Sequence, residues 1–125
     1  MNDFEYEVDD GKVTITRYKG NGGDVVVPDT IDGLPVNRIG SYAFQGCTSL
    51  TSITFGNSLT DIEEYAFQGC TSLTSITLPN SITTIGEYAF RRCHSLISIS
   101  VPDGCSIGEG AFEGCQFKIR NKEAE

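Results

Sequence analysis

From Tyr42 onward, apolar and small polar residues alternate in a pattern that returns every 23 positions. Leu73, Ile76 and Leu78 are spaced L-x-x-I-x-L, with Thr and Ser between them. That spacing predicts a short strand whose apolar residues point inward and whose Thr residues suit the outer pleat. Pro79 ends the strand, since proline has no N–H to give to a ladder. Ile82 and Ile85 continue the core through a turn. Glu87-Tyr88-Ala89-Phe90 then predicts one or two helical turns, with Ala89 and Phe90 as the buried pair.

The segment from Tyr42 to Thr54 recurs from Tyr65 to Thr77 and, altered, from Tyr88 to Ser100. A fourth start, Gly110-Ala111-Phe112-Glu113-Gly114-Cys115, comes one residue early because the turn from Pro102 to Gly108 is one residue shorter than that from Pro79 to Gly86. A single unit cannot bury its apolar side, whereas stacked units form continuous columns. The period and the strand signature predict an α/β, leucine-rich-repeat-like solenoid. Parallel β-strands are expected on one face and short helical turns on the other.

The start of the chain reads as a cap. Phe4 to Val8 and Val13 to Tyr18 alternate as strands do, and Asp9-Asp10-Gly11 between them suits a hairpin turn. Val25, Val27 and Ile31 match the core positions Ile53, Phe55 and Leu59, so a first coil begins here. An insertion from Asp32 to Asn37 precedes Ile39. Phe117 and Ile119 are placed to give a last strand. One domain is expected, with a cap hairpin over 1–22 and repeats over 23–125, in units near 23–40, 41–63, 64–86, 87–108 and 109–125.

The formal net charge is -8. It argues against nucleic acid and against an anionic membrane surface, both of which need a cationic face. The charge is uneven: Asp3, Glu5, Glu7, Asp9 and Asp10 crowd the start, while Lys118, Arg120 and Lys122 sit near the end. Charged ends on a polar stack are expected to keep it soluble and monomeric. No apolar run is long enough to span a bilayer. No basic segment precedes an apolar one, so the expectation divides between a cytosolic protein and one whose leader is removed ahead of Met1.

Candidate chemistry is sparse. Cys47, Cys70, Cys93 and Cys115 form a column by their spacing, and Cys105 aligns with Leu59 and Ile82. Stacked side chains point the same way, which is poor geometry for a disulfide, and no C-x-x-C pair suggests zinc. Buried reduced thiols are expected. His94 is expected at the surface, in the position of Thr48 and Thr71. Glu63, Glu64 and Glu87 are read as acids at the starts of the short helices, favoured by the helix dipole, rather than as an acid–base pair. Gly20 to Gly23 lacks the Lys and the following helix of a phosphate loop. No cofactor or metal and no enzyme activity is expected.

The candidate ligand-binding face is the outer side of the strands. Ser52, Thr54, Ser75, Thr77, Ser98 and Ser100 are expected to point outward and stack in columns, a polar, uncharged surface for a protein or glycan. Thr columns matched to an ordered water lattice are the other reading, and Ser98 and Ser100 oppose it. Gln45, Gln68, Arg91, Arg92 and Glu113 mark an alternative outer surface.

The pattern Ile-Gly-x-Tyr-Ala-Phe-x-Gly-Cys-x-Ser-Leu-Thr-Ser-Ile-x-Leu-Pro, spread over Ile39 to Gly86, resembles the BspA-like leucine-rich repeats, also called the Treponema pallidum type. Val25-Val26-Val27-Pro28 and Asp32-Gly33-Leu34-Pro35-Val36 are similar to the lead-in of such proteins. The resemblance implies a parallel-stranded solenoid, at the cell surface or secreted, that binds protein or glycan. A bacterial adhesion or host-interaction domain is the expected function. The alternative is a cytosolic scaffold or a capping fragment of a longer repeat protein. The family supplies no residue-level binding motif to carry over.

Overall fold

A computed structural model describes residues 3–116. The strands are β1 (Phe4–Asp9), β2 (Lys12–Tyr18), β3 (Gly23–Val27), β4 (Thr30–Ile31), β5 (Leu34–Ile39), β6 (Leu50–Phe55), β7 (Asp61–Ile62), β8 (Ser75–Thr77), β9 (Thr84–Ile85) and β10 (Ser106–Ile107). β1 and β2 form an antiparallel hairpin across Asp10 and Gly11. Both turn residues have positive φ, 55° and 75°. This is the twist a two-residue hairpin loop requires.

β2 then joins the solenoid directly. It runs parallel to β5, which continues through β7 and β9 to β10, so the long sheet has the order β1-β2-β5-β7-β9-β10. β4 folds back antiparallel on β5 across Asp32 and Gly33. That short hairpin is the insertion visible in the sequence, and the Tyr6 hydroxyl ties it to the cap by donating to the Asp32 carboxylate. The second sheet is parallel, in the order β3-β6-β8. Val25 pairs with Ile53 and Val27 with Phe55, as their spacing predicts.

The core lies between the two sheets and the turn side. Leu50, Leu73 and Leu96 are fully buried, as are Ile39, Ile62 and Ile85. A column of rings runs along the axis. Tyr18 stacks on Phe44 at 5.0 Å, Phe44 on Phe67 at 4.7 Å, Phe67 on Phe90 at 5.1 Å and Phe90 on Phe112 at 5.6 Å. Repetition of one aromatic at one coil position makes this column, and the cap supplies its first ring.

The expected short helical turns are absent: the described residues contain no helix. In their place are successive tight turns. Ala89 N–H donates to the Gly86 carbonyl at 3.3 Å and Arg91 N–H to that of Tyr88 at 3.2 Å. The alternate N–H groups leave the coil. Tyr88 donates to Glu109 at 3.1 Å, Phe90 to Ala111 at 2.7 Å and Arg92 to Glu113 at 2.7 Å. Tyr42, Tyr65 and Tyr88 have φ of 64°, 58° and 57°, values a right-handed helix excludes. The turn side is therefore a third hydrogen-bonded side between coils. With no helix there is no dipole, so the reading of Glu63, Glu64 and Glu87 as helix-start acids is corrected too.

Candidate binding face

The short sheet presents the strand residues named from the sequence. Pairing is in register, Ser52 with Ser75 and Thr54 with Thr77. Ser75, Thr77 and Thr54 are exposed and Ser52 is half-buried. β3 extends the rows, with Asp24 beside Ser52 and Val26 beside Thr54. Asp24 accepts from the Ser52 hydroxyl at 2.7 Å and from the Thr51 hydroxyl at 3.2 Å. Ser52 is thus partly occupied inside the protein, whereas Thr54, Ser75 and Thr77 make no such bond among the described residues.

Ser98 and Ser100 depart from the columns. Both are exposed, but only Ser100 makes a bridge and residues 96–99 form no strand. Between Thr74–Leu78 and Ile97–Ser100 lies a groove of about 430 Å³. The preceding coils are tied at this point by Thr74, whose N–H and hydroxyl both donate to the Thr51 carbonyl, at 2.9 and 3.1 Å. Ile97 holds the position of Thr74 one coil on and has no hydroxyl to repeat the tie. It is instead 68% exposed, as Val26 is 69% exposed at the other end of the sheet. The face is therefore polar in the middle with one exposed aliphatic residue near each end. Asp24, Val26, Thr51, Thr74 and Ile97 belong to it as well, and the 23-residue offset relating Thr51, Thr74 and Ile97 is the signal that finds three of them.

The other candidate groups have structural places. Glu63 lies 3.5 Å from Arg38, which also meets Asp61 at 3.5 Å. Glu64 and Glu87 are exposed, and their backbone carbonyls accept from Tyr42 and Tyr65 at 3.3 and 3.1 Å. His94 is exposed. All five cysteines are free. Cys70 and Cys93 are buried as expected, but Cys47, Cys105 and Cys115 are only half-buried, which corrects the uniform column. Cys105 sits in the shortened turn between Pro102 and Gly108 of the last described coil. Contact with the Cys93 sulfur and burial hold the Cys70 thiol above the ordinary thiol range. On the outer surface the Gln45 side chain donates to Gln68 at 2.7 Å, and Arg91 pairs with Glu113 at 2.7 Å. Arg92 is exposed beside them. Among the described residues no group of three or more His, Cys, Asp or Glu is placed to hold a metal ion. No helix there is long and apolar enough to cross a membrane.

Residues 25–123 match the BspA type leucine rich repeat region in six copies. The chain belongs to the BspA-type leucine-rich repeat family. Solved structures agree with this. The T. pallidum leucine-rich repeat protein is 33% identical with a TM-score of 0.76, over 94% of this chain and 68% of that one. A leucine-rich repeat protein from Bacteroides capillosus is 26% identical with a TM-score of 0.88, over 98% of this chain and 96% of that one. One from Bacteroides ovatus is 32% identical with a TM-score of 0.84, over 99% of this chain but 37% of its own length. No curated protein matches the BspA-type chain. Leucine-rich repeats generally serve as protein-interaction modules and are typically non-enzymatic.

Proposed function

We propose that this BspA-type domain is a non-enzymatic binding module for a protein or glycan, and that the ligand lies on the outer face of the short sheet. The observation that carries this reading is the in-register pairing of Ser52 and Thr54 with Ser75 and Thr77 on a face free of lysine and arginine. Solenoids use such extended repeated surfaces for recognition. Hydroxyls held at fixed strand spacing offer donors and acceptors to backbone amides or sugar hydroxyls. Val26 and Ile97 add apolar anchors near either end, and the groove beside Ile97 gives one of them depth. Surface adhesion or host interaction is the setting that the family resemblance supports.

The test is direct binding of the purified chain to immobilised matrix proteins and glycans. It is run beside a variant carrying Thr54→Arg, Thr77→Arg and Ser100→Arg, with folding checked by circular dichroism. Binding that the folded variant loses supports the sheet face. Binding that survives moves the site to the turn side or the cap. No binding across the panel favours a scaffold or capping role.

A further inference from the structure

The coil that begins at Tyr88 departs from its two predecessors at neighbouring positions of one turn. Arg91 stands where they have Gln45 and Gln68, Arg92 where they have Gly46 and Gly69, and His94 where they have Thr48 and Thr71. Each change adds a guanidinium or an imidazole. Between Arg38 and Lys118 the chain has no other lysine or arginine. A local basic patch thus interrupts a chain of net charge -8.

The backbone sets Arg92 apart. Its φ is 64°, in the left-handed region that glycine fills at Gly46, Gly69 and Gly114. Glycine serves the fold there without strain, whereas an L side chain is strained. Strain kept at an exposed position points to a use for the side chain that keeps it. Arg92 and His94 are both exposed, and neither has an ion pair or a side-chain hydrogen bond among the described residues. Arg91 lies 2.7 Å from the Glu113 carboxylate and 5.6 Å from the centre of the Tyr88 ring. Glu113 therefore anchors Arg91, and Arg92 carries the uncompensated charge.

The surroundings of Arg92 are open and neutral. A Cβ at Gly69 would lie 3.8 Å from Gly46, and one at Gly114 would lie 3.3 Å from Arg92. Side chains at this coil position therefore lean toward the preceding coil. From Arg92 that direction leads over Gly69 and Gly46, a lane with no side chain of its own. In sequence the lane is flanked by Gln45 and Gln68, joined at 2.7 Å, and by exposed Thr48 and Thr71. None of these residues is an acid.

A guanidinium fork pairs with two oxygens of an anionic group, and a sulfate offers a third to another donor. Neutral amides and hydroxyls beside the fork match the hydroxyls of sugars. The net charge of -8 opposes a continuous polyanion such as nucleic acid. Anionic groups spaced along an otherwise polar chain meet less of that repulsion.

We propose that the turn of Arg91, Arg92 and His94 binds a sulfate group of a sulfated glycan, with the neighbouring sugars lying along the Gly46–Gly69 lane. This site is separate from the outer face of the short sheet and does not depend on it.

Fluorescence polarisation of the whole chain with a labelled chondroitin sulfate octasaccharide tests it. The sulfated octasaccharide should bind, and its desulfated form, which keeps the carboxylates, should bind roughly tenfold more weakly. Arg92→Gly removes the guanidinium and relieves the backbone, so the variant folds and its affinity should fall roughly five- to tenfold. Arg92→Asn, whose side chain tolerates the left-handed region, should lose as much and serves if the glycine variant does not fold. Arg91→Gln with His94→Thr, which restores the residues of the earlier coils, should also weaken binding. Thr54→Ala with Thr77→Ala should leave it unchanged, which separates this site from the sheet face. No binding at millimolar octasaccharide would overturn the proposal. So would equal affinity for the desulfated form or for an oligoglutamate peptide of the same charge, or full affinity in a folded Arg92 variant.

Discussion

The thiol of Cys93 donates to the carbonyl oxygen of Phe67 at 3.2 Å, reaching from one coil to the coil before it. Cys70 does the same to Phe44 at 3.1 Å and Cys115 to Phe90 at 3.2 Å. Each of these sulfurs is at once a small packed residue and a tie between coils. Cys93→Ala removes the tie and leaves a void at a fully buried position. The expected loss is on the order of 1–3 kcal/mol, read from the urea midpoint. Cys47 is half-buried and makes no such bond among the described residues, so Cys47→Ala should cost less than about 1 kcal/mol. Equal losses at the two positions would contradict the tie.

Thiol reactivity should sort the same residues. A native chain treated with a thiol reagent should modify Cys47, Cys105 and Cys115 well before Cys70 and Cys93. Unfolding without reductant should release all five thiols. A total of one or three would mean that disulfides form. Burial first, and then the Cys93 sulfur, push the Cys115 thiol up to about 11. The folded state thus favours the protonated thiol. Its contribution is complete below the thiol's unfolded value near 8.5 and is lost as pH rises through the folded one. The melting temperature should accordingly fall from about pH 8.5 toward pH 11, and Cys115→Ser should flatten that fall. An unchanged slope in the variant would remove Cys115 as its source.

Phe67 is the middle of the ring column. It is fully buried, with Phe44 at 4.7 Å on one side, Phe90 at 5.1 Å on the other and the edge of Phe55 at 6.1 Å. Phe67→Ala should cost about 3–5 kcal/mol in chemical denaturation. Phe112 closes the described column and is only half-buried, so Phe112→Ala should cost clearly less. A loss under about 1 kcal/mol at Phe67 would show that the column does not carry the core.

The strands and the core are legible in the sequence because the 23-residue offset acts on a side-chain period of two. Leu50, Leu73 and Leu96 share one environment, and each is fully buried. The turn side is not legible in the same way. An apolar Ala–Phe pair bounded by Glu and Gly fits a helical turn and fits tight turns equally well. What separates the two is the destination of the N–H groups of Tyr, Phe and Gly, and those reach carbonyls 21 or 22 residues away. A faint signal exists in Gly110, which stands where Tyr42, Tyr65 and Tyr88 stand and shares their positive φ. The candidate face is half legible. Offset places Ser98 and Ser100 in the columns, but the ladder lapses there, where residues 96–99 form no strand.

Arg92 offers a test of the strain on the turn side. Its φ is 64°, and the same coil position is Gly46, Gly69 and Gly114 in the other units, at 72°, 77° and 83°. A side chain in this left-handed region costs roughly 1–2 kcal/mol relative to the right-handed one, and glycine escapes that cost for want of a Cβ. The Arg92 N–H bond to Glu113 is a backbone bond and survives substitution. Against the relief stands the greater freedom of glycine in the unfolded chain, about 0.4–1 kcal/mol. The side chain itself is exposed and makes no ion pair among the described residues. Arg92→Gly should therefore stabilise the domain by up to about 1 kcal/mol, seen as a higher melting temperature. Gly69→Ala, with no atom closer than 3.8 Å to its new Cβ, isolates the reverse change and should destabilise by a similar amount. A loss of stability in Arg92→Gly would show that the arginine side chain contributes more than its backbone strain removes.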